Sequence, residues 1–309
     1  RPEAGRSADD PLGGSVAETD PIGPNGSSGS LLPPCPEVHF PLDLSPLEDL
    51  SRYRKSPMTL FDWRREFDWR LQNLLTISAP VIKRPVGDLG AIEKKFSSVQ
   101  STRYRALAAQ YPLGAWGRVC TEEEALLNLY ILDICDRAIL RLPRSGRGLD
   151  IGAGNWSYLP ALTSWSAIPW DGVELDAHRR YWTLATRRAH AEYMLPIWEG
   201  CRYLPGSLLD LTGAYACVTW FLPFVTPGSL RAGRLPDRFF QPQALLRRAW
   251  SLLEPGGVLF ILNQGKEEAG VQRLLLEKEG LTGDAVGEIT SVFSPYKKSR
   301  YGWLLVKSR

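Results

Sequence analysis

The sequence predicts an α/β fold, a doubly wound and mainly parallel sheet preceded by an α-helical accessory region. Two observations carry this prediction. From Gly146 onward, short apolar runs alternate with helical runs, which is the order of βαβ units. Near the end of the chain, residues 294–300 join two apolar runs and are too few for a crossover helix, so the last two strands should be antiparallel.

The elements of this core can be placed along the chain from the apolar pattern. Strands are predicted at residues 148–151, 170–175, 214–220, 258–262, 289–293 and 301–307, and helices at 158–165, 177–194 and 243–253. Four arginines of the helix predicted at 177–194 recur at a spacing that gives one basic face: Arg179, Arg180, Arg187 and Arg188. This face is either exposed to solvent or a contact for phosphate or an acidic partner.

Three helices are predicted in or beside the accessory region. A stripe at spacings of three and four predicts an amphipathic helix whose apolar face must be buried: Leu60, Trp63, Phe67, Leu71 and Leu74. A second helix near residues 91–111 is interrupted by serines. Thr121 followed by Glu124 is a capping-box signature, and it predicts a buried helix over residues 125–140.

Composition divides the chain into three parts. Residues 1–46 hold nine prolines and six glycines and carry a net charge of −5, which predicts a disordered leader. Residues 47–120 are predicted to form the helical accessory region, a lid over the site, and residues 121–309 the α/β domain. The net charge of +8 over residues 47–309 is compatible with nucleic acid, but no clustered basic stripe supports that partner.

Overall composition excludes several classes of protein. Hydrophobic residues make up 44% and charged residues 23%, which excludes a wholly disordered, collagenous or coiled-coil chain. The longest uncharged apolar stretch, residues 215–230, contains two prolines, so no membrane span is predicted. Five scattered cysteines without a CxxC pair disfavour a disulfide framework and a zinc site, and they favour the cytoplasm. The chain opens at Arg1 without an apolar leader, so we expect a fragment or trimmed product without a secretory signal.

A nucleotide-site candidate lies where the first core strand meets its helix. The segment 150–155 reads Asp-Ile-Gly-Ala-Gly-Asn, and Gly152 and Gly154 allow a tight turn and a close ligand approach. Glu174 ends the next strand, where a carboxylate can accept ribose hydroxyls. Ser157 replaces the third glycine of a dinucleotide site, and Asp150 at the loop entrance disfavours a pyrophosphate but suits an ammonium and a sulfonium.

These motifs resemble those of class I S-adenosylmethionine-dependent methyltransferases. The resemblance covers residues 122–309 and rests on segments 150–154, 173–176 and 253–259, the last reading Leu-Glu-Pro-Gly-Gly-Val-Leu. It implies a Rossmann-like, seven-stranded sheet with a terminal antiparallel strand and S-adenosylmethionine as cofactor. It also implies that the methionine part lies against the turn, including Ala153 and Asn155, and that the ribose lies on Glu174.

The chain departs from the family pattern at two places. After the third strand, Ser207 stands where many members carry an Asp that accepts from the adenine amino group, so Ser207 and the Leu208 amide are the expected contacts, with Asp210 as an alternative. After the fourth strand, Phe221 cannot accept from a planar amino group, which disfavours methylation of adenine N6 or a glutamine amide.

The acceptor side is predicted less completely. Trp220, Phe221 and Phe224 stand at the expected mouth, where they either contact the sulfonium and the acceptor or pack in the core. Asn263 and Gln264 follow the fifth strand and either orient an acceptor or make turn hydrogen bonds. No catalytic base and no metal ligand can be named.

The predicted function is methyl transfer to an unidentified acceptor, which we expect to be a small molecule rather than protein or RNA. Two alternatives stay open at this point. One is an NAD-dependent oxidoreductase, and the other is a noncatalytic cofactor-binding or scaffold protein on the same fold.

Overall fold

The computed structural model of the protein describes residues 60–138 and 142–309. The predicted leader, residues 1–46, and residues 47–59 of the accessory region lie outside the described residues. Within the described part, the helices are α1 (Leu60–Leu74), α2 (Gly90–Glu93), α3 (Ser98–Gln110), α4 (Glu122–Ala138), α5 (Leu159–Trp165), α6 (Arg187–Met194), α7 (Pro227–Ala232), α8 (Pro242–Ser251) and α9 (Gly265–Lys278).

Seven strands form one sheet in the order β3-β2-β1-β4-β5-β7-β6. Their bounds are β1 (Gly148–Ile151), β2 (Trp170–Glu174), β3 (Arg202–Pro205), β4 (Tyr215–Phe221), β5 (Leu253–Gln264), β6 (Asp284–Ile289) and β7 (Arg300–Val306). Strands β1 to β5 pair in parallel, and β7 is antiparallel to both β5 and β6. The predicted α/β class, the seven strands and the terminal antiparallel strand are confirmed.

Two strand glycines make room for large aromatic side chains on one face of the sheet. A Cβ atom at Gly148 would lie 2.4 Å from the ring of Trp170, and one at Gly172 would lie 2.6 Å from the ring of Trp156. Both tryptophans are fully buried in the core between the sheet and the helices α4 and α5. These close approaches place the turn that carries Trp156 directly against β2.

The helices that precede the α/β domain share its core. Leu107 of α3 and Trp116 are fully buried in the same cluster as α4 and α5. The Trp116 indole N–H donates to Ser164 Oγ of α5 at 3.0 Å. The predicted capping box at the start of α4 is present, because the Thr121 amide and the Glu124 amide each bond the other residue's side chain, at 3.0 and 3.3 Å.

Helix α1 forms where the sequence predicts it, but its orientation differs from the expectation. Four residues of the apolar stripe are exposed: Trp63 (59%), Phe67 (51%), Leu71 (40%) and Leu74 (79%). The other face docks instead: Arg65 contacts Asp237 at 3.0 Å, and the Trp69 ring lies 4.9 Å from the Phe239 ring. The expected burial of the stripe is therefore wrong. The surface against which α1 packs is charged and aromatic, so the polar face of α1 is the one that contacts it.

Two further sequence predictions are corrected by the structure. Helix α6 begins only at Arg187, since Thr186 caps it and Leu184 adopts a left-handed φ of 63°. Arg179 and Arg180 therefore lie in the preceding loop, and the four arginines do not share one helical face. Strand β6 ends at Ile289, before most of the predicted run 289–293, because Phe293 packs against Phe96 of the helical region at 5.6 Å.

None of the helices in the described ranges is long and apolar enough to cross a membrane.

Candidate cofactor site at the carboxyl ends of β1 and β2

The turn that follows β1 leaves open space where side chains would otherwise stand. Gly152 and Gly154 have φ values of +74° and +60°, in the left-handed region that favours glycine. A Cβ atom at either position would meet no other atom within 4 Å. The Gly152 and Ala153 amides donate to the Val173 carbonyl of β2 at 2.9 and 3.2 Å, which holds the turn against the neighbouring strand.

Glu174 ends β2 beside this turn. Its Oε2 accepts from the Gly154 amide at 2.7 Å, and its Oε1 accepts from the Asp176 amide at 2.8 Å and from Arg187 Nη1 at 3.0 Å. A carboxylate offers about four acceptor positions, so Glu174 retains room for one further hydroxyl donor. The structure thus brings together the two motifs that the sequence predicts for one site.

Asp150 lies inside β1 and is fully buried, so its expected place at the loop entrance is wrong. Its carboxyl oxygens accept from the Tyr158 hydroxyl and from Thr219 Oγ1, both at 2.8 Å. Burial raises the pKa of Asp150 to about 7, although both hydroxyl donors act in the opposite direction. Its contact with the cofactor stays a prediction.

The raised pKa of Asp150 predicts a pH-dependent stability. The folded state keeps a proton on Asp150 up to about pH 7, whereas an unfolded aspartate loses it near about pH 4, so this group destabilises the fold as the pH rises between them. We expect the melting temperature of Asp150→Asn, measured relative to the wild type, to rise from about pH 5 to about pH 8. Subtracting the melting temperature of the wild type removes the contribution of the other titrating groups. A difference in melting temperature that does not change with pH would contradict the prediction.

The remaining turn residues mainly support its shape. Asn155 Oδ1 accepts from the Ser157 amide at 3.3 Å, and Ala153 is fully buried. The Tyr203 hydroxyl of β3 donates to the Gly154 carbonyl at 2.5 Å. The turn is therefore held from β2, from β3 and from within.

The segment after β3 also reaches this edge of the sheet. The Gly206 amide donates to the Glu174 carbonyl of β2 at 2.9 Å. Ser207 is the next residue after Gly206. Ser207 Oγ accepts from the Leu209 amide at 3.1 Å and caps a short 3-10 helix, Leu208–Asp210. Leu208 is buried in a core cluster with residues of β1, β4, β5 and α8, such as Leu149, Val218 and Leu246. The adenine contacts of Ser207 and Leu208 remain predictions.

The three aromatic residues expected at the mouth fall on different surfaces. Trp220 is buried in the core cluster that contains Leu208. The half-buried Phe221 ring lies 5.7 Å from the Tyr158 ring, on the opposite face of the sheet. The Phe224 ring packs so closely on Gly233 that a Cβ there would lie 2.6 Å from it. Core packing accounts for Trp220, and the ligand contacts of all three stay predictions.

Asn263 near the end of β5 is the most unusual of the predicted acceptor residues. It is fully buried, and neither its amide oxygen nor its amide nitrogen has a hydrogen-bond partner among the described residues. A buried polar group without a partner is costly, so Asn263 is a candidate for contact with water or a ligand. The Gln264 backbone N–H donates to Glu268 Oε2 at 3.1 Å, and the role of the Gln264 side-chain amide stays a prediction.

The histidines of the described ranges are His178 and His190. Burial lowers the pKa of both His178 and His190, and the ring nitrogens of His190 have no hydrogen-bond partner in the described part of the chain. Across residues 60–138 and 142–309, no group of three or more His, Cys, Asp or Glu side chains is arranged to hold a metal ion.

Sequence reasoning assigned no role in this site to three residues that organise it. Arg187 pairs with Glu174, Tyr158 holds Asp150, and Asp176 lies 2.5 Å from Arg179 through its Oδ2. The spacing of Asp176 from Glu174 could have indicated a second carboxylate at this edge. No sequence signal pairs Arg187 with Glu174, since the loop between them determines that contact.

Comparisons with known proteins give distant structural likeness. No protein-family model matches the chain, and no curated protein matches its sequence. Its fold is similar to that of a SAM dependent methyltransferase from Aquifex aeolicus, with 13% identity and a TM-score of 0.42 over 58% of this chain and 91% of that chain. It is also similar to magnesium protoporphyrin IX methyltransferase from Synechocystis PCC 6803 with bound SAM, with 15% identity and a TM-score of 0.40 over 71% of this chain and 96% of that chain. A methyltransferase from Pyrococcus furiosus has 16% identity and a TM-score of 0.40 over 57% of this chain and 81% of that chain.

The fold is Rossmann-like. That statement rests on the strand order of this chain and on its antiparallel β7.

Proposed function

We propose that this protein is an S-adenosylmethionine-dependent methyltransferase. One observation carries the proposal: an open glycine turn after β1 bonds directly to a buried carboxylate at the end of β2, with Gly154 N 2.7 Å from Glu174 Oε2. Parallel sheets bind nucleotides at this edge, and the motifs of the turn resemble those of the methyltransferase family.

The residues around the turn fit such a cofactor. The open space at Gly152 and Gly154 lets the methionine part approach the backbone, and the spare acceptor position of Glu174 suits a ribose hydroxyl. A second hydroxyl would displace one of the donors that Glu174 now holds. When bound, the cofactor supplies an activated methyl group. With no base assigned, we assign the protein's contribution to proximity and orientation.

We propose that the reaction takes place in the cytoplasm, on a small-molecule acceptor. The four cysteines of the described ranges are free thiols, which supports a reducing compartment.

The ring of Phe221 packs against Tyr158 and Phe260. Because this ring offers no acceptor for an amino group, methylation of adenine N6 or of a glutamine amide is disfavoured.

Calorimetric titration tests the proposal against its alternatives. We expect S-adenosylmethionine and S-adenosylhomocysteine to bind and NAD not to bind. Binding of NAD alone would overturn the proposal in favour of an oxidoreductase. Binding of the methyl donor without turnover on any acceptor that itself binds would favour a noncatalytic protein.

Replacing Glu174 tests the ribose assignment. We expect Glu174→Ala to weaken S-adenosylhomocysteine binding by at least about tenfold, because a charge-assisted hydrogen bond contributes about 1.5 to 3 kcal/mol. Glu124→Ala is the matched control, since Glu124 also forms a buried ion pair, with Lys83 at 2.5 Å, but its carboxylate hydrogen-bonds the start of α4 and not the glycine turn. An effect below about twofold in a folded Glu174→Ala protein contradicts the ribose assignment.

A further inference from the structure

A pocket of about 430 Å³ lies where α1 faces the segments after β2 and α7. Its wall is strongly basic, with two carboxylates, Asp68 and Asp176, against six arginines. The arginines come from three separate parts of the chain: Arg64, Arg65, Arg179, Arg180, Arg231 and Arg234. Two further carboxylates, Asp62 and Asp237, pair with Arg65 and Arg231, and the positive excess that remains favours an anionic ligand.

The partners of these arginines inside the protein neutralise only part of the wall. Asp237 lies 3.0 Å from Arg65 and 3.4 Å from Arg231, and Asp176 lies 2.5 Å from Arg179. Arg180 donates to the backbone carbonyls of Leu75 and Ile77, which carry no net charge. Arg64 reaches Asp68 only at 3.8 Å, with both side chains largely exposed. Arg234 forms no side-chain hydrogen bond or ion pair with the described residues, so its charge is available to a ligand.

Two buried donors in the same wall have no acceptor among the described residues. They are Arg65 Nε and the indole Nε1 of Trp69, both on the docked face of α1. A buried N–H group without an acceptor is costly, and an oxyanion supplies the acceptors that these two groups lack. This is a second observation, independent of net charge, and it indicates hydrogen-bond acceptor atoms in the pocket.

The pocket also borders the candidate cofactor site. Asp176, which lines it, follows Glu174 by two residues and donates its amide to that carboxylate at 2.8 Å. Arg231 and Arg234 belong to the connection that follows β4, so residues from the carboxyl ends of two strands meet here. Asp176 Oδ1 accepts no hydrogen bond from the described residues and can receive one from a ligand hydroxyl or ammonium.

We propose that this arginine pocket binds the phosphate or carboxylate group of a small methyl acceptor. The proposal rests on the methyltransferase function and specifies the acceptor class: a small molecule with an oxyanion at one end and a hydroxyl or amine within reach of Asp176. A pocket closed by α1 on one side suits a single anionic group better than a polynucleotide, whose backbone needs an open groove.

Titration with inorganic phosphate and with succinate, at constant ionic strength, tests the pocket directly. We expect Arg234→Gln to weaken oxyanion binding about tenfold, which corresponds to about 1.4 kcal/mol. The matched control is Arg144→Gln, because Arg144 is also exposed but precedes β1 at the opposite edge of the sheet. The tighter of the two oxyanions identifies the anionic group of the acceptor.

Loss of binding in Arg144→Gln equal to that in Arg234→Gln would overturn the proposal, as would tighter binding of a short RNA that both variants weaken equally. A separate measurement keeps the pocket distinct from the cofactor site. We expect phosphate and S-adenosylhomocysteine to bind together, and mutual exclusion would assign the pocket to the cofactor and overturn the acceptor assignment. Phosphate binding by a protein that fails to bind S-adenosylhomocysteine would reject the methyltransferase function instead.

Discussion

Gly152→Val should abolish binding of S-adenosylmethionine while the protein remains folded. The Cβ atom at this position would enter open space beside the turn, since no protein atom lies within 4 Å of it. A valine there fills the space that a close backbone approach requires and strains a residue with φ of +74°. Calorimetric titration, with circular dichroism as the test of folding, measures the outcome.

Backbone strain alone could weaken binding indirectly, so a second glycine serves as the control. Gly280 follows α9 and has φ of +63°, and a Cβ atom added there would likewise meet no atom within 4 Å. Gly280→Val should therefore carry a similar strain and retain cofactor affinity. Equal losses in the two variants would assign the effect to strain, and full affinity in Gly152→Val would remove this turn from the site.

Trp116→Ala should lower the free energy of unfolding by about 3 to 5 kcal/mol, the usual range for deleting a large buried aromatic side chain. Trp116 has no exposed surface, and its indole N–H bonds Ser164 Oγ, which in turn donates to the Pro112 carbonyl at 2.9 Å. The substitution leaves a cavity, and it removes the indole N–H that donates a hydrogen bond to Ser164 Oγ. Urea denaturation measures the change.

Trp182→Ala is the matched control, because Trp182 is 93% exposed. Its effect should stay within about 0.5 kcal/mol. If both tryptophans proved equally dispensable, residues 112–119 would not belong to the core of the α/β domain. A large loss only in Trp116→Ala would mean that the domain cannot be separated cleanly at residue 120.

Features that depend on neighbouring residues could be predicted from the sequence. The bounds of β1 and the capping box between Thr121 and Glu124 are examples, because strand patterning, turn glycines and helix caps act over a few residues. Helix α1 could be predicted for the same reason. The position of β6 could not, because the apolar residues that resemble a strand, Val292 and Phe293, pack against the helical region instead.

Which face of α1 is buried depends on residues far along the chain. Its docked face contacts residues 237–239 through an ion pair at 3.0 Å and a ring contact at 4.9 Å. An apolar stripe shows only that burial would be favourable, whereas the partner surface decides which side packs. The same reasoning applies to the arginine pocket, whose wall is built from three segments that lie far apart in the sequence.

The sequence by itself determined the α/β class, the glycine turn after β1 and the carboxylate at the end of β2, because strand periodicity and turn chemistry are local properties. Only the tertiary structure decided that Asp150 is buried with a pKa of about 7, that Arg187 pairs with Glu174, and that α1 turns its charged face inward. Each of these depends on desolvation or on a contact between distant residues, and both arise when the chain folds and brings such residues together.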